Sequence, residues 1–202
     1  MINDIFVFDD IISKENQNIL EDYVKNHEHG WTYGSNISYL KTGYEFGQYV
    51  LPPTYNFDSK ILDIIHEIEK NVCDRLEKKF LKNYRFKINL LKVSENPIGK
   101  EIKKAIHIDR DNPHVSLVYY INNTDGNTSF YNFKGDNLKN LLKYVDNSQF
   151  NKFELLKEVS PKKGRVAVFD GMTPHHSNYP TKKDRYIVNM NIVIEEDKKT
   201  LL

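Results

Sequence analysis

Tyr84-Arg85-Phe86-Lys87-Ile88-Asn89-Leu90 alternates apolar and polar side chains, the pattern of a half-buried strand, and marks where the hydrophobic period of this chain changes from 3.6 to 2. Upstream the pattern is helical. A short strand is expected at Ile5–Ile12, after which Ser13 stands as an N-cap before Ile19, Leu20, Tyr23 and Val24 at helical spacing. A second amphipathic helix is expected from Asp58 or Ser59 to about Leu81, with Ile61, Ile65, Ile68, Val72 and Leu76 on one face and Glu67, Lys70, Asp74 and Lys78 on the other. Downstream, further strands are expected at Ala105–Asp109, His114–Asn122, Thr128–Phe133, Phe153–Val159, Gly164–Asp170 and Arg185–Glu195, punctuated by turn signals such as Asp125-Gly126 and Lys163-Gly164. Gly135–Phe150, with Leu138, Leu141, Leu142 and Val145, reads as an inserted helix. Helices followed by a run of short strands predict an α+β fold, a jelly-roll core with the N-terminal helices packed on one outer face. The expected organisation is a single domain over 1–202, helical to about residue 83 and jelly-roll over about 84–195.

Composition bounds the function. The chain has 202 residues, 39% of them apolar and 28% charged, enough to bury about three quarters of its unfolded surface without disulfides or a structural metal. Its single cysteine, Cys73, excludes a disulfide framework and a cysteine-rich zinc module, and predicts a reducing, cytoplasmic setting. With 29 Lys+Arg against 28 Asp+Glu the net charge is +1, which removes the whole-chain electrostatic argument for nucleic-acid binding. Met1-Ile2-Asn3-Asp4 carries no basic leader, and no stretch approaches the ~18 apolar residues of a membrane span, so a soluble protein away from membranes is expected.

The chemistry concentrates in the strand-rich half. His107-Ile108-Asp109 puts an imidazole and a carboxylate on one face of an extended segment, two thirds of a 2-His-1-carboxylate triad that suits Fe(II) and leaves coordination positions open. The segment Gly164-Arg165-Val166-Ala167-Val168-Phe169-Asp170-Gly171-Met172-Thr173-Pro174-His175-His176-Ser177-Asn178-Tyr179-Pro180 supplies the third ligand, and Arg185 beyond it opens an apolar strand where a guanidinium can hold a carboxylate bidentately. His175 and His176 compete for the ligand position because neighbours on an extended segment point opposite ways; the Pro-His dipeptide and the spacing to Pro180 favour His175. Asp109 has apolar neighbours, and an unpaired carboxylate buried there would be costly, so something must neutralise it.

Taken in order, His107, Asp109, His175 and Arg185 resemble the signature of the Fe(II)/2-oxoglutarate-dependent dioxygenases, particularly their prolyl-hydroxylase-like branch. The resemblance covers about residues 84–195 in its motifs and implies a double-stranded β-helix, Fe(II) held by His107, Asp109 and His175, and 2-oxoglutarate and O2 as cosubstrates. It further implies that Arg185 anchors 2-oxoglutarate and that Tyr120, in His-Val-Ser-Leu-Val-Tyr-Tyr-Ile-Asn (114–122), is a hydrogen-bond donor to its far carboxylate. Asp125-Gly126-Asn127-Thr128-Ser129-Phe130 resembles the family's Gly-Gly-Glu-Thr-x-Phe segment, with Asp125 and Asn127 departing from it. A hydroxylase follows, acting on a peptidyl residue such as proline before a free metabolite or a nucleobase. The rival is a cupin-like metal-binding module without oxygenase activity, which has no need of a buried carboxylate anchor.

Other residues carry less. His114 is expected as an exposed turn residue, Tyr120 can equally be a satisfied core tyrosine, and Cys73 as an inert thiol on the apolar side of a helix. Trp31, Tyr33 and Tyr39 belong either to a substrate lid or to an ordinary aromatic cluster. Lys103, Lys104, Lys162, Lys163, Lys182 and Lys183 flank the site either to favour an anionic substrate or as solvated loop lysines.

Overall fold

The computed structural model describes residues 2, 4–26, 31–34, 48–51, 56–93, 106–110, 112–134 and 151–195. The helix expected over 135–150, Tyr39, Lys103 and Lys104 lie outside these residues. In chain order the elements are β1 (Phe6–Phe8), α1 (Lys14–Asn26), β2 (Thr32–Gly34), β3 (Gln48–Leu51), α2 (Ser59–Arg75), β4 (Phe80–Leu91), β5 (Val115–Tyr120), β6 (Thr128–Phe133), β7 (Phe153–Val159), β8 (Val166–Asp170), β9 (His175–Ser177) and β10 (Arg185–Ile194). Two antiparallel sheets result, one in the order β1-β8-β5-β10-β4-β3-β2 and one in the order β7-β6-β9.

Both helices start where the sequence places their caps. The Ser13 hydroxyl accepts from the Asn16 amide at 3.1 Å, and the Asp58 carboxylate accepts from the Lys60 amide at 2.8 Å. Helix α2 stops six residues short of the expected Leu81. Leu76 caps it, Glu77 turns left-handed at φ 54°, and Lys78 and Glu77 amides return to the carbonyls of Cys73 and Asp74. That is a Schellman closure built on a residue other than glycine, so the composition carries no stop signal.

Helix α2 is rich in isoleucine, which costs a few tenths of a kcal/mol per residue in helix propensity. Burying each such side chain returns about 1.5–3 kcal/mol, so packing decides the outcome. Ile61, Ile64, Ile65, Ile68 and Val72, with Leu20 and Val24 of α1, cover one face of the large sheet through Leu117, Tyr119, Val166, Val168, Val188, Met190 and Ile192. Strand alternation sends the neighbours of those sheet residues to the opposite face, between the two sheets, where Val118, Tyr120, Phe130, Val159, Ala167, Phe169 and Ile187 form a second core. The jelly roll is this second layer.

Register orders the inner face of the large sheet into rows. Arg85, Asn191, Ser116 and Phe169 form one, and Lys87, Asn189, Val118 and Ala167 the next. Asn89, Ile187 and Tyr120 follow, and Leu91 and Arg185 close the series. Two expected strands differ. Strand β1 is three residues long, and the described part of the expected 105–109 strand, residues 106–109, is no regular strand: among these residues only His107 pairs, through an isolated bridge to His175. Among the described residues no helix is long and apolar enough to cross a membrane.

Candidate metal centre

Strand β8 ends in a tight turn in which the Asp170 carboxylate and carbonyl accept from the Met172 and Thr173 amides, and Pro174 then feeds His175 into β9. The His107 and His175 amides and carbonyls bond each other at 3.0 and 2.9 Å, which brings the two imidazoles together with centroids 4.5 Å apart and planes tilted by 48°. Nε2 of His107 lies 3.9 Å and Nε2 of His175 4.0 Å from Oδ1 of Asp109, and the ligand atoms of all three residues lie within 4.8 Å of one another.

The surroundings select which atoms face that point. His175 Nδ1 donates to the Thr173 carbonyl at 2.9 Å, so Nε2 keeps its lone pair for the cluster. Burial pushes the His175 imidazolium down from its ordinary pKa, against the pull of Asp109. The second oxygen of Asp109 is occupied: Oδ2 accepts from Ser116 Oγ at 2.6 Å and from Asn191 Nδ2 at 3.0 Å. Only Oδ1 is left for an ion, which makes the carboxylate a one-atom ligand. Burial by itself would raise the Asp109 carboxyl. His175, His107, the Ser116 hydrogen bond and Lys87 together outweigh it and hold the group below the ordinary carboxylate range. Arg85 completes the surround, with Nη2 3.7 Å from Asp109 Oδ1 and Nε donating to Asn191 Oδ1 at 2.9 Å. Two imidazole nitrogens and one carboxylate oxygen on a single point form a donor set suited to Fe(II).

His176 points the other way. Its ring stacks on Tyr131 with centroids 5.5 Å apart, and Nε2 lies 2.9 Å from Asn178 Oδ1. His114 corrects an expectation: it is buried at 4% exposure, with Nδ1 2.7 Å from the Asn112 carbonyl and Nε2 3.2 Å from Ser116 Oγ. A Cβ on Gly171 would fall 2.0 Å from the His114 ring, so the turn after β8 must carry glycine for His114 to sit behind Ser116.

Arg185 is fully buried at 0% exposure. Its Nη2 donates to Thr128 Oγ1 at 2.7 Å, Nε and Nη1 have no hydrogen-bond partner among the described residues, and the guanidinium lies 5.4 Å from the Tyr120 ring centroid. A buried guanidinium with two free donors and no carboxylate beside it among the described residues is costly until an anion meets it. Tyr120 donates to the same Thr128 oxygen at 2.7 Å, with the Val159 carbonyl at 3.4 Å. Burial raises its phenol above the ordinary range against the pull of Arg185, so the hydroxyl keeps its proton.

Sequence reading alone did not single out Ser116, Asn191, Thr128 or Arg85. Each lies on an inner face that alternation identifies, and the cross-strand register needed to bring them to Asp109 or Arg185 is not written in any one segment. Trp31 packs on the helix-side core, 6.2 Å from Tyr186. Lys162 and Lys163 turn away from the site to Asp9 and to Asn18 and Glu21. Cys73 is buried with its thiol pushed up to about 11, an unreactive state.

No protein-family model matches the sequence, and no curated protein matches it. Solved structures do. A prolyl hydroxylase from Trichoplax adhaerens, determined with a peptide fragment of the oxygen degradation domain of hypoxia inducible factor, superposes with a TM-score of 0.59 at 11% identity, over 94% of this chain and 83% of its own. A prolyl-4-hydroxylase from Pseudomonas putida gives 0.56 at 13% over 93% and 91%. The non-haem α-ketoglutarate-dependent carbocyclase SnoK of nogalamycin biosynthesis gives 0.67 at 10% over 96% and 80%. The chain therefore shares its fold, helices and jelly roll together, with these enzymes.

Proposed function

We propose that this chain is an Fe(II)- and 2-oxoglutarate-dependent dioxygenase that hydroxylates a C–H bond of its substrate. One observation carries the reading: the His107, Asp109 and His175 ligand atoms converge at one end of an inner face whose other end holds the buried, incompletely paired Arg185. A metal-binding module without a carboxylate cosubstrate gains nothing from that arginine. A peptidyl residue such as proline stands first among substrates, by analogy with the Trichoplax enzyme and its peptide.

Each residue has a task. His107, Asp109 and His175 would hold iron, with Ser116 and Asn191 keeping Asp109 to one oxygen so that positions stay open for ligands. Arg185, steadied by Thr128, would take the far carboxylate of 2-oxoglutarate, with the Tyr120 hydroxyl beside it. Phe169 and Phe130, edge-on at 4.8 Å and tilted at 6.1 Å to the His175 ring, wall the centre with apolar surface and exclude water. Bound iron would supply the oxidising chemistry, 2-oxoglutarate and O2 being consumed to succinate and carbon dioxide as one oxygen atom enters the substrate C–H bond.

The test is Fe(II)-dependent formation of succinate from 2-oxoglutarate, measured chromatographically with and without proline-containing peptides. Slow turnover by the protein alone, stimulated by a peptide and lost in His175→Ala, is expected. If the Mn(II)-loaded protein binds no 2-oxoglutarate at millimolar concentration, the oxygenase reading falls and the metal-binding module takes its place.

A further inference from the structure

Between the row that carries Asp109's partners and the guanidinium of Arg185 lies a second cation that the reading above does not use. Lys87 sits on the inner face of β4 opposite Asn189, two residues from Arg85, a rise of about 7 Å along the strand. It is only partly exposed, and among the described residues its ammonium makes no hydrogen bond or ion pair. The amide oxygens of Asn189, in the same row, and Asn89, in the next, are buried on the same face and equally without partners among the described residues. Register sets Lys87 and Asn189 in the row next to Arg85 and Asn191, the two residues beside Asp109, so Lys87 stands on the metal side of the Asn89 and Arg185 rows. Burial first and the neighbouring Arg85 second push Lys87 below its ordinary pKa, the mark of a cation short of a counter-ion.

A lysine on a core-facing row usually leaves by snorkelling to water or finds a carboxylate. Lys87 has done neither fully, and the line from the metal point to Arg185 passes its row. We propose that Lys87 is a binding residue for the metal-proximal carboxylate of the 2-oxoacid cosubstrate, so that the dicarboxylate lies between two cations, Lys87 near the metal and Arg185 at the far end. This rests on the function proposed above. It adds that the site recognises both ends of the dicarboxylate by charge, and that a 2-oxoacid lacking the far carboxylate still meets a cation.

Calorimetric titration under anaerobic conditions, with Mn(II) in place of iron, separates the two ends. Wild type, Lys87→Met, Lys87→Arg and Arg185→Lys are titrated with 2-oxoglutarate and with 2-oxobutanoate, which lacks the far carboxylate. Lys87→Met is expected to weaken both ligands by at least tenfold while keeping full Mn(II) stoichiometry, and Lys87→Arg to recover most of the loss. Arg185→Lys should weaken 2-oxoglutarate far more than 2-oxobutanoate. Lys87→Gln, smaller and polar, replaces the methionine variant if the latter folds poorly, with thermal unfolding as the check. Wild-type affinity for both ligands in a Mn(II)-replete Lys87 variant overturns the assignment. Absence of 2-oxoglutarate binding in the wild type overturns the dioxygenase reading itself, a separate outcome.

Discussion

Asp109 shows how much of a site rests on residues that never touch the ion. Its Oδ2 takes two donors, and Ser116→Ala removes the shorter of them, 2.6 Å away. Mn(II) affinity is expected to fall about 10–100-fold, the usual effect of losing an outer partner, while His107→Ala or Asp109→Ala abolishes binding; elemental analysis after dialysis reads both. Arg185→Ala is expected to leave Mn(II) in place and weaken 2-oxoglutarate by about 10–150-fold, equivalent to about 1.5–3 kcal/mol, by titration calorimetry. A different residue sets the pH response of stability. Glu69 is buried at 2% exposure, and burial raises its carboxyl from the ordinary 4.5 to about 7 against a hydrogen bond from Asn83. A raised acid binds its proton more tightly in the folded chain, so its contribution is complete below about pH 4.5 and is lost as pH rises through 7. Glu69→Gln should abolish that decline, which amounts to at most about 3 kcal/mol, in urea titrations at pH 5 and pH 8.

At the scale of elements, the end of α2 yields its own prediction. Glu77 holds φ 54°, a conformation that costs an ordinary residue about 1–2 kcal/mol, so Glu77→Gly should stabilise the fold by about 0.5–1 kcal/mol once the extra freedom of the unfolded glycine is subtracted. Thermal or urea unfolding reads this directly. The same turn explains why α2 was expected to run on: a left-handed glutamate gives no sign of itself in composition. Legibility elsewhere followed length. Strands β4 to β8 and β10 are five residues or longer and announce themselves by alternation, whereas β2, β3 and β9 have three or four residues, too few for a period to show. The metal ligands were legible because their types and order are unusual together. Their supports, Ser116 and Asn191, are common polar residues whose meaning depends on β5 lying beside β10 in one particular register. Gly171 marks the other limit: Gly171→Ala drives a methyl into the His114 ring and is expected to lower both stability and Mn(II) affinity.

For the molecule as a whole, the two sheets are unequal partners. The large sheet is cemented to two helices, whereas the small one has an edge strand, β7, with Leu155 and Leu156 exposed at 54% and 57%. Mn(II) at about a hundred times its dissociation constant should add about 2.7 kcal/mol to the folded state and raise the melting temperature by roughly 5–10 °C, which differential scanning fluorimetry reads. That gain has a location. Through the mutual amide bonds of His107 and His175, the small sheet ends at the ligands themselves, so an ion held by both rings acts as a clasp joining the segment before β5 to the segment after β8. Without the ion those two amides close a frayed margin and should exchange with deuterium quickly. With it they become the seam of the barrel, and occupancy can be followed as the slowing of two backbone protons, with no turnover and no substrate needed.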